Sequence, residues 1–155
     1  MSSEHAEPFE LATDGPNVLV VGVDGSRTSL RAGAYAAGLA RRSRAHLVIV
    51  YAASRAGLAA WAPGGAAAID QALDEIAADL RRQVEQRLED WGLPSAVCTF
   101  VVARGEPFAE IARIAEEVRA DGVIVGASMH TGHRLVGSLA VRLVRAGRWP
   151  VTVIP

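Results

Sequence analysis

The chain has 155 residues, of which half are apolar and 5% aromatic, with a formal net charge of -1 and a single cysteine. This length suits one domain with a buried core. The near-neutral charge gives no support to nucleic acid or an anionic membrane as a partner, and one cysteine excludes an internal disulfide framework and a multi-cysteine zinc site.

All sixteen basic residues are arginines, and the sequence contains no lysine. A Walker P-loop, a Schiff-base enzyme and a kinase fold each need a lysine, so all three are excluded. Residues 1–16 lack the basic start and apolar middle of a signal peptide, and no apolar run is long enough to span a bilayer. We therefore expect a flexible tail over residues 1–16, a single folded domain over residues 17–155 and a cytoplasmic location.

The first strand is predicted over residues 17–23, a continuous apolar run typical of a strand buried on both faces. Ser26 can cap a helix that extends to about Arg44. The predicted inner stripe of this helix is made of small and aliphatic residues: Leu30, Gly33, Ala34, Ala37, Gly38 and Leu39. Arginines at its carboxyl end are interpreted as favoured by the helix dipole, rather than as a nucleic-acid patch.

The second strand is predicted over residues 46–52, followed by an irregular segment over residues 53–68. The next helix ends before Gly92 and Pro94. Its apolar stripe is Ile69, Leu73, Ile76, Leu80, Val84 and Leu88. The third strand is predicted over residues 96–103, and Cys98 within it is interpreted as a core thiol.

Gly105, Glu106 and Pro107 begin a third helix, with proline at its first position. A fourth strand over residues 122–125, a fourth helix over 138–146 and a fifth strand over 151–154 complete the pattern. Strict alternation predicts an α/β fold, a three-layer α/β/α sandwich around a parallel sheet. Open sheets of this kind bind ligands beyond the carboxyl ends of their strands, which predicts a crevice there.

The last strand, Val151–Ile154, has no internal proline, glycine or charge, and such edges favour pairing with another strand. A twofold homodimer through this strand is the simplest closed arrangement. The alternative is that the N-terminal tail or the 53–68 segment covers the edge.

Several motifs, taken in order, resemble the universal stress protein family over nearly the whole chain, from about Asn17 to Pro155. They are Val21-Gly22-Val23-Asp24-Gly25-Ser26, Leu47 to Ala52, Gly105-Glu106-Pro107, Val125-Gly126-Ala127-Ser128, Gly137-Ser138 and Pro150 to Val153. The resemblance implies a five-stranded Rossmann-like sheet of order 3-2-1-4-5, of the adenine nucleotide alpha hydrolase type, and a homodimer. Many members bind ATP, which implies ATP, with or without Mg²⁺, as the ligand.

The resemblance also implies roles for individual residues. Asp24 matches an aspartate near the ribose and the metal-bound phosphates, although an acid here also suits a helix cap. Ala52 matches the position whose backbone holds the adenine, and Gly137 begins the turn that holds phosphate at a helix amino end. The full candidate nucleotide site is Gly22, Val23, Asp24, Ala52, Val125, Gly126, Ser128, Gly132, Arg134, Gly137, Ser138 and Leu139.

The loop before Gly137 departs from the pattern of the ATP-binding members. Met129 stands where their second glycine belongs, and the stretch from Gly126 to Gly137 is two residues shorter. Gly132 is expected to supply a turn in its place, while Arg134 is assigned either to a phosphate or to plain surface charge. The loop histidines, His130 and His133, are interpreted as surface residues, because a metal site would need a third ligand.

Two functions stay open from the sequence. The first is a cytoplasmic stress protein that binds an adenine nucleotide, with slow ATP hydrolysis at most. The second is a nucleotide-free dimer that acts on protein partners which the sequence does not identify. A dedicated enzyme is disfavoured, since no nucleophile elbow, zinc cluster or dinucleotide fingerprint follows a strand, and no catalytic or metal-binding residue is assigned.

Overall fold

Five apolar segments form one parallel β-sheet in the computed structural model, which describes residues 15–54, 65–128 and 137–155. The strands are β1 (Val18–Val23), β2 (His46–Ala53), β3 (Cys98–Arg104), β4 (Gly122–Gly126) and β5 (Val151–Ile154). Their order is β3-β2-β1-β4-β5, and all four neighbouring pairs are parallel. The predicted sheet order is confirmed.

Four α-helices in the described ranges cover the two faces of this sheet. They are α1 (Arg27–Ser43), α2 (Gly65–Asp90), α3 (Pro107–Glu117) and α4 (Ser138–Ala146). Side chains alternate across β1, so that Leu19 and Val21 pack under α1 and α2 while Val20 packs under α3 and α4. The core therefore has two halves, and the predicted three-layer sandwich is confirmed. None of the helices in the described ranges is both long and apolar enough to cross a membrane.

Polar side chains cap the amino ends of α1 and α3. The Ser26 hydroxyl accepts a hydrogen bond from the Ser29 amide at 3.2 Å and so caps α1, as the sequence predicts. Glu106 caps α3, accepting from the amides of Phe108 at 3.3 Å and Ala109 at 3.0 Å. These two caps lie on the same side of the molecule, because β1 and β3 both end there and the sheet is parallel.

Two predicted helix faces are wrong in part. In α1, Ala34 is exposed, and the buried residues are Thr28, Ser29, Ala32, Ala36, Ala37 and Ala40. Arg27, Arg31 and Tyr35 mark the exposed face, but alanines lie on both faces of this helix, so the alanine positions alone do not identify the inner face. In α2, Ile76 is 41% exposed, and Ala77 takes the buried position beside it.

The third strand starts later than predicted. Residues Ser95–Val97 form a short 3-10 turn, and β3 runs from Cys98 to Arg104. Cys98 is half-buried and packs against the core, and burial raises the pKa of its thiol. This location suits the packing role that the sequence predicts.

The Asp121 carboxylate joins β1 to the start of β4 at the amino ends of the strands, on the side opposite the helix caps. Asp121 Oδ2 accepts hydrogen bonds from the Asn17 amide at 2.7 Å and the Val18 amide at 2.9 Å. Asp121 directly precedes β4, so this contact sets the register between the two central strands. That register determines how the carboxyl ends of β1 and β4 are aligned at the opposite end of the strands.

Replacing this carboxylate is expected to destabilise the fold. Asp121→Ala should lower the free energy of unfolding by about 1–2 kcal/mol, because two amides lose a charged acceptor. Urea denaturation measures the effect, with Asp79→Ala on the exposed face of α2 as the matched loss of one charge. Equal midpoints for the two variants would show that the Asp121 contacts add nothing.

Candidate functional site

A cleft of about 760 Å³ opens at the carboxyl ends of β1 and β4. The sheet order reverses between these two strands, which is where open parallel sheets bind ligands. The volume falls within the range of about 300–1,000 Å³ that is common for small-molecule sites. Strands β1, β2 and β4 supply the floor, and the first turns of α1, α3 and α4 supply the walls.

The turn after β1 holds Asp24 at the cleft. Asp24 Oδ1 accepts from the Ser26 amide at 2.9 Å, and the Asp24 amide donates to Ser29 Oγ at 3.2 Å. Burial raises the pKa of Asp24, but hydrogen bonds from Ser26 and Ser29 outweigh burial, so the pKa lies below its ordinary value of 3.8. Asp24 is therefore a fixed, ionised carboxylate at neutral pH. Ser26 is the residue that caps α1, so Asp24 is not the helix cap, and its Oδ1 instead closes the turn that precedes the helix.

Gly126 lets β4 approach α1 closely. A Cβ at this position would lie 2.6 Å from the Thr28 carbonyl carbon and 2.7 Å from the Ser29 amide nitrogen. These are backbone atoms of the first turn of α1, which cannot rotate away as a side chain can. Glycine at position 126 is thus required by packing, and the contact also explains why Thr28 and Ser29 are buried.

The first turn of α4 forms the opposite wall. Gly137 is its N-cap, and within the described residues no side chain caps this end. The first amides of a helix have no partner within the helix and favour an anion. A Cβ at Gly137 would lie 2.8 Å from the Cβ of Ser128, so the glycine keeps the loop end and the helix start close together.

The cleft brings together ten of the twelve candidate site residues. These are Gly22, Val23, Asp24, Ala52, Val125, Gly126, Ser128, Gly137, Ser138 and Leu139. The other two, Gly132 and Arg134, lie outside the described residues, as do Met129, His130 and His133. That these residues bind a nucleotide remains a prediction.

Two charged cleft residues were missed from the sequence. Arg142 Nη1 donates to Glu106 Oε1 at 2.5 Å, across the gap between α4 and α3, and both residues line the cleft. Burial opposes the ionised form of Glu106, but the Arg142 bond and the two amide bonds together outweigh burial and lower the pKa of Glu106 from its ordinary value. The sequence did offer a signal for Arg142. It lies one helical turn after Ser138, so the side chains of Ser138 and Arg142 lie on the same face of α4.

No group of three or more potential metal ligands is found among the described residues. Asp24 and Glu106 are the acidic residues in the described cleft lining. A carboxylate such as Asp24 suits a hard cation carried in with a phosphate ligand. The donor set thus fits a metal that arrives with its ligand.

The sequence profile of the Universal stress protein family matches residues 17–155. The Universal stress protein MJ0531 of Methanocaldococcus jannaschii is 28% identical over 139 residues, covering 88% of this chain and 80% of that protein.

Solved structures agree with the sequence match. Universal stress protein UspA from Lactobacillus plantarum superposes with a TM-score of 0.73 at 25% identity, over 90% of this chain and 97% of that chain. A universal stress protein in complex with cAMP superposes with a TM-score of 0.66, also at 25% identity, over 90% of this chain and 96% of that one. With a family match that spans nearly all of the described fold, the chain belongs to the universal stress protein family.

Proposed function

We propose that this protein binds an adenine nucleotide, ATP or a related compound, in the cleft between β1 and β4. One observation carries the proposal. An ionised Asp24 stands at one side of the cleft, and the first turn of α4, which no side chain of the described residues caps, lies at the other. A carboxylate accepts hydrogen bonds from ribose hydroxyls, and free helix amides donate to phosphate, so the two walls suit the two polar parts of a nucleotide.

The apolar floor supports the same ligand. Val50 and Val125 line the floor of the cleft and Ile111 of α3 lines a wall, and ligand sites commonly combine an apolar lining with a few placed polar groups. The relative in complex with cAMP shows that an adenine nucleotide fits this fold in another member. We propose that the protein acts in the cytoplasm as a binding protein. We propose slow hydrolysis of ATP at most, because no general base stands out in the sequence beside the expected phosphates.

The location of binding can be tested by NMR. We expect AMP added to ¹⁵N-labelled protein to shift the amide signals of Asp24, Gly126, Gly137 and Ser138 in a saturable manner. Amides on the outer face of α2, such as that of Asp79, serve as the internal control. Shifts that avoid the cleft, or no shifts at millimolar AMP, would contradict the proposal.

The second candidate is a nucleotide-free interaction module of the same fold. The observation that favours it is that Gly126 and Gly137 both have packing reasons to be glycine. Their presence therefore does not by itself require a ligand. In this case the NMR titration would leave the cleft amides unchanged.

We further propose that the protein forms a homodimer through β5. The Pro150 and Ile154 carbonyls accept from the amides of Val123 in β4 and of Ala127, which directly follows β4. Because backbone groups alternate along a strand, Val151 and Val153 direct theirs away from β4, toward the outer edge of the sheet. In the described part of the chain no further strand pairs with that edge.

Val153→Pro is expected to dissociate this dimer. Proline removes an outward amide donor but no hydrogen bond to β4, so the edge is blocked while the sheet stays paired. Sedimentation velocity at micromolar concentration should give a dimer for the wild type and a monomer for the variant. A wild-type monomer, or an unchanged variant, would remove the dimer proposal.

A further inference from the structure

An exposed ion pair spans the rim of the cleft. Glu106 at the start of α3 and Arg142 in the second turn of α4, named here the rim pair, meet at 2.5 Å, and each side chain is about half exposed. Both line the cleft together with Ser138 and Leu139. The pair therefore lies where a bound molecule would meet solvent.

Arg142 is positioned to face the start of α4. Its guanidinium carbon lies 4.2 Å from the centroid of the Phe108 ring, a cation–π contact that holds the side chain at the rim. Helical side chains lean toward the helix amino end, so Arg142 leans over the turn that begins at Ser138. Among the described residues that line the cleft, Arg142 is the one with a positive charge.

Glu106 keeps its place without Arg142. Its carboxylate also accepts from the amides of Phe108 and Ala109 as the cap of α3. If Arg142 moves away, the two amides therefore still hold the Glu106 carboxylate in place. The two partners of Arg142, the Phe108 ring and the Glu106 carboxylate, are separable, because a guanidinium can remain stacked while its hydrogen-bonding edge turns.

We propose that Arg142 is a specificity-determining residue that exchanges Glu106 for a phosphate group of the bound nucleotide. Glu106 then competes with the ligand for Arg142 and lowers the affinity for phosphate-bearing ligands. The guanidinium fork matches a phosphate as well as it matches a carboxylate. This inference rests on the proposed nucleotide binding, and it assigns to the rim pair the discrimination between nucleotide and nucleoside.

The test is to titrate AMP and adenosine into the full chain and its variants. NMR detects the binding, because it also measures weak affinities. Glu106→Gln keeps an oxygen to cap α3 and is expected to bind AMP about two- to fivefold more tightly, the effect of removing an exposed ion-pair competitor. Arg142→Met keeps an apolar stem on Phe108 and should weaken AMP on the order of tenfold, the effect of losing a charge-assisted hydrogen bond. Adenosine affinity should stay unchanged in both.

The matched control is Glu116→Gln. Glu116 pairs with Arg148 at the other end of α3, so the variant changes the net charge equally, away from the cleft. In the Arg142→Met background, Glu106→Gln should have no effect on AMP, because the competition has been removed. Arg142→Lys keeps the charge but not the fork and should fall between wild type and Arg142→Met.

Other outcomes separate the failures. If the wild type binds AMP but Glu106→Gln and Glu116→Gln tighten it equally, only net charge matters and the rim-pair inference is wrong. If Arg142→Met weakens adenosine as much as AMP, Arg142 merely supports the cleft wall, which also overturns the inference. If the wild type binds neither compound, the proposed function fails, and the inference fails with it.

Discussion

Gly126→Ala is expected to lower the free energy of unfolding by about 3 kcal/mol, at the upper end of the usual cost of overpacking. The added Cβ would lie 2.6–2.8 Å from backbone atoms of Thr28 and Ser29. The first turn of α1 must then move away from β4. Because Ser26 and Ser29 hold Asp24 in its turn, this displacement also distorts one wall of the cleft.

Urea denaturation measures this effect, and Gly33→Ala is the matched control. Gly33 lies within α1, and beyond its own helix no described atom lies within 4 Å of the place that an added methyl group would take. The same substitution there should raise stability by about 0.5–1 kcal/mol, because alanine is the better helix former. If both variants are stabilised to a similar degree, the close approach of β4 to α1 is incorrect.

Asp24→Ala is expected to weaken adenine nucleotide binding on the order of tenfold to a hundredfold, the usual effect of losing hydrogen bonds to a charged group. Asp24→Asn keeps an oxygen for the Ser26 amide and so preserves the turn, while it removes the charge. A loss of binding in both variants assigns the effect to the carboxylate charge. A loss in the alanine variant alone assigns it to the turn.

Gly137→Val tests the opposite wall of the cleft. A Cβ here would contact the Ser128 Cβ at 2.8 Å, so the larger valine should separate the loop end from the start of α4 and weaken binding to a similar degree. Calorimetric titration gives the affinities, and Asp79→Ala on α2 serves as the control. Unchanged binding in both Asp24→Ala and Gly137→Val would remove the site assignment, provided that circular dichroism shows folded proteins.

The sequence predicts the strands and most helix ends because each has a local cause. Buried parallel strands are continuous apolar runs, as in Val18–Val23, and Ser26 and Pro107 lie at helix starts where their side-chain or backbone chemistry is favoured. The buried face of α1 was predicted only in part, because alanines lie on both faces of the helix. The burial of Thr28 and Ser29 depends on their contact with Gly126, which is far away in the chain.

The candidate site also contains residues that the sequence predicts and residues that only the packing of the helices reveals. Residues at strand ends, such as Asp24 and Gly126, follow from the order of elements, since parallel strands deliver their carboxyl ends to one edge. The rim pair joins residues 106 and 142 on different helices, and only the packing of α3 beside α4 brings them together. Gly132 and Arg134 lie outside the described residues, so their roles stay predictions.

Calorimetric titration of ligand-stripped protein with AMP and with Mg-ATP tests the proposal that the cleft binds an adenine nucleotide. Mass spectrometry of material released on denaturation should precede the titration, because a retained ligand would mask binding. Released adenine nucleotide, or saturable heat at micromolar concentration with one site per chain, is the expected result. No released ligand and no heat at millimolar concentration would contradict the claim and favour the nucleotide-free interaction module.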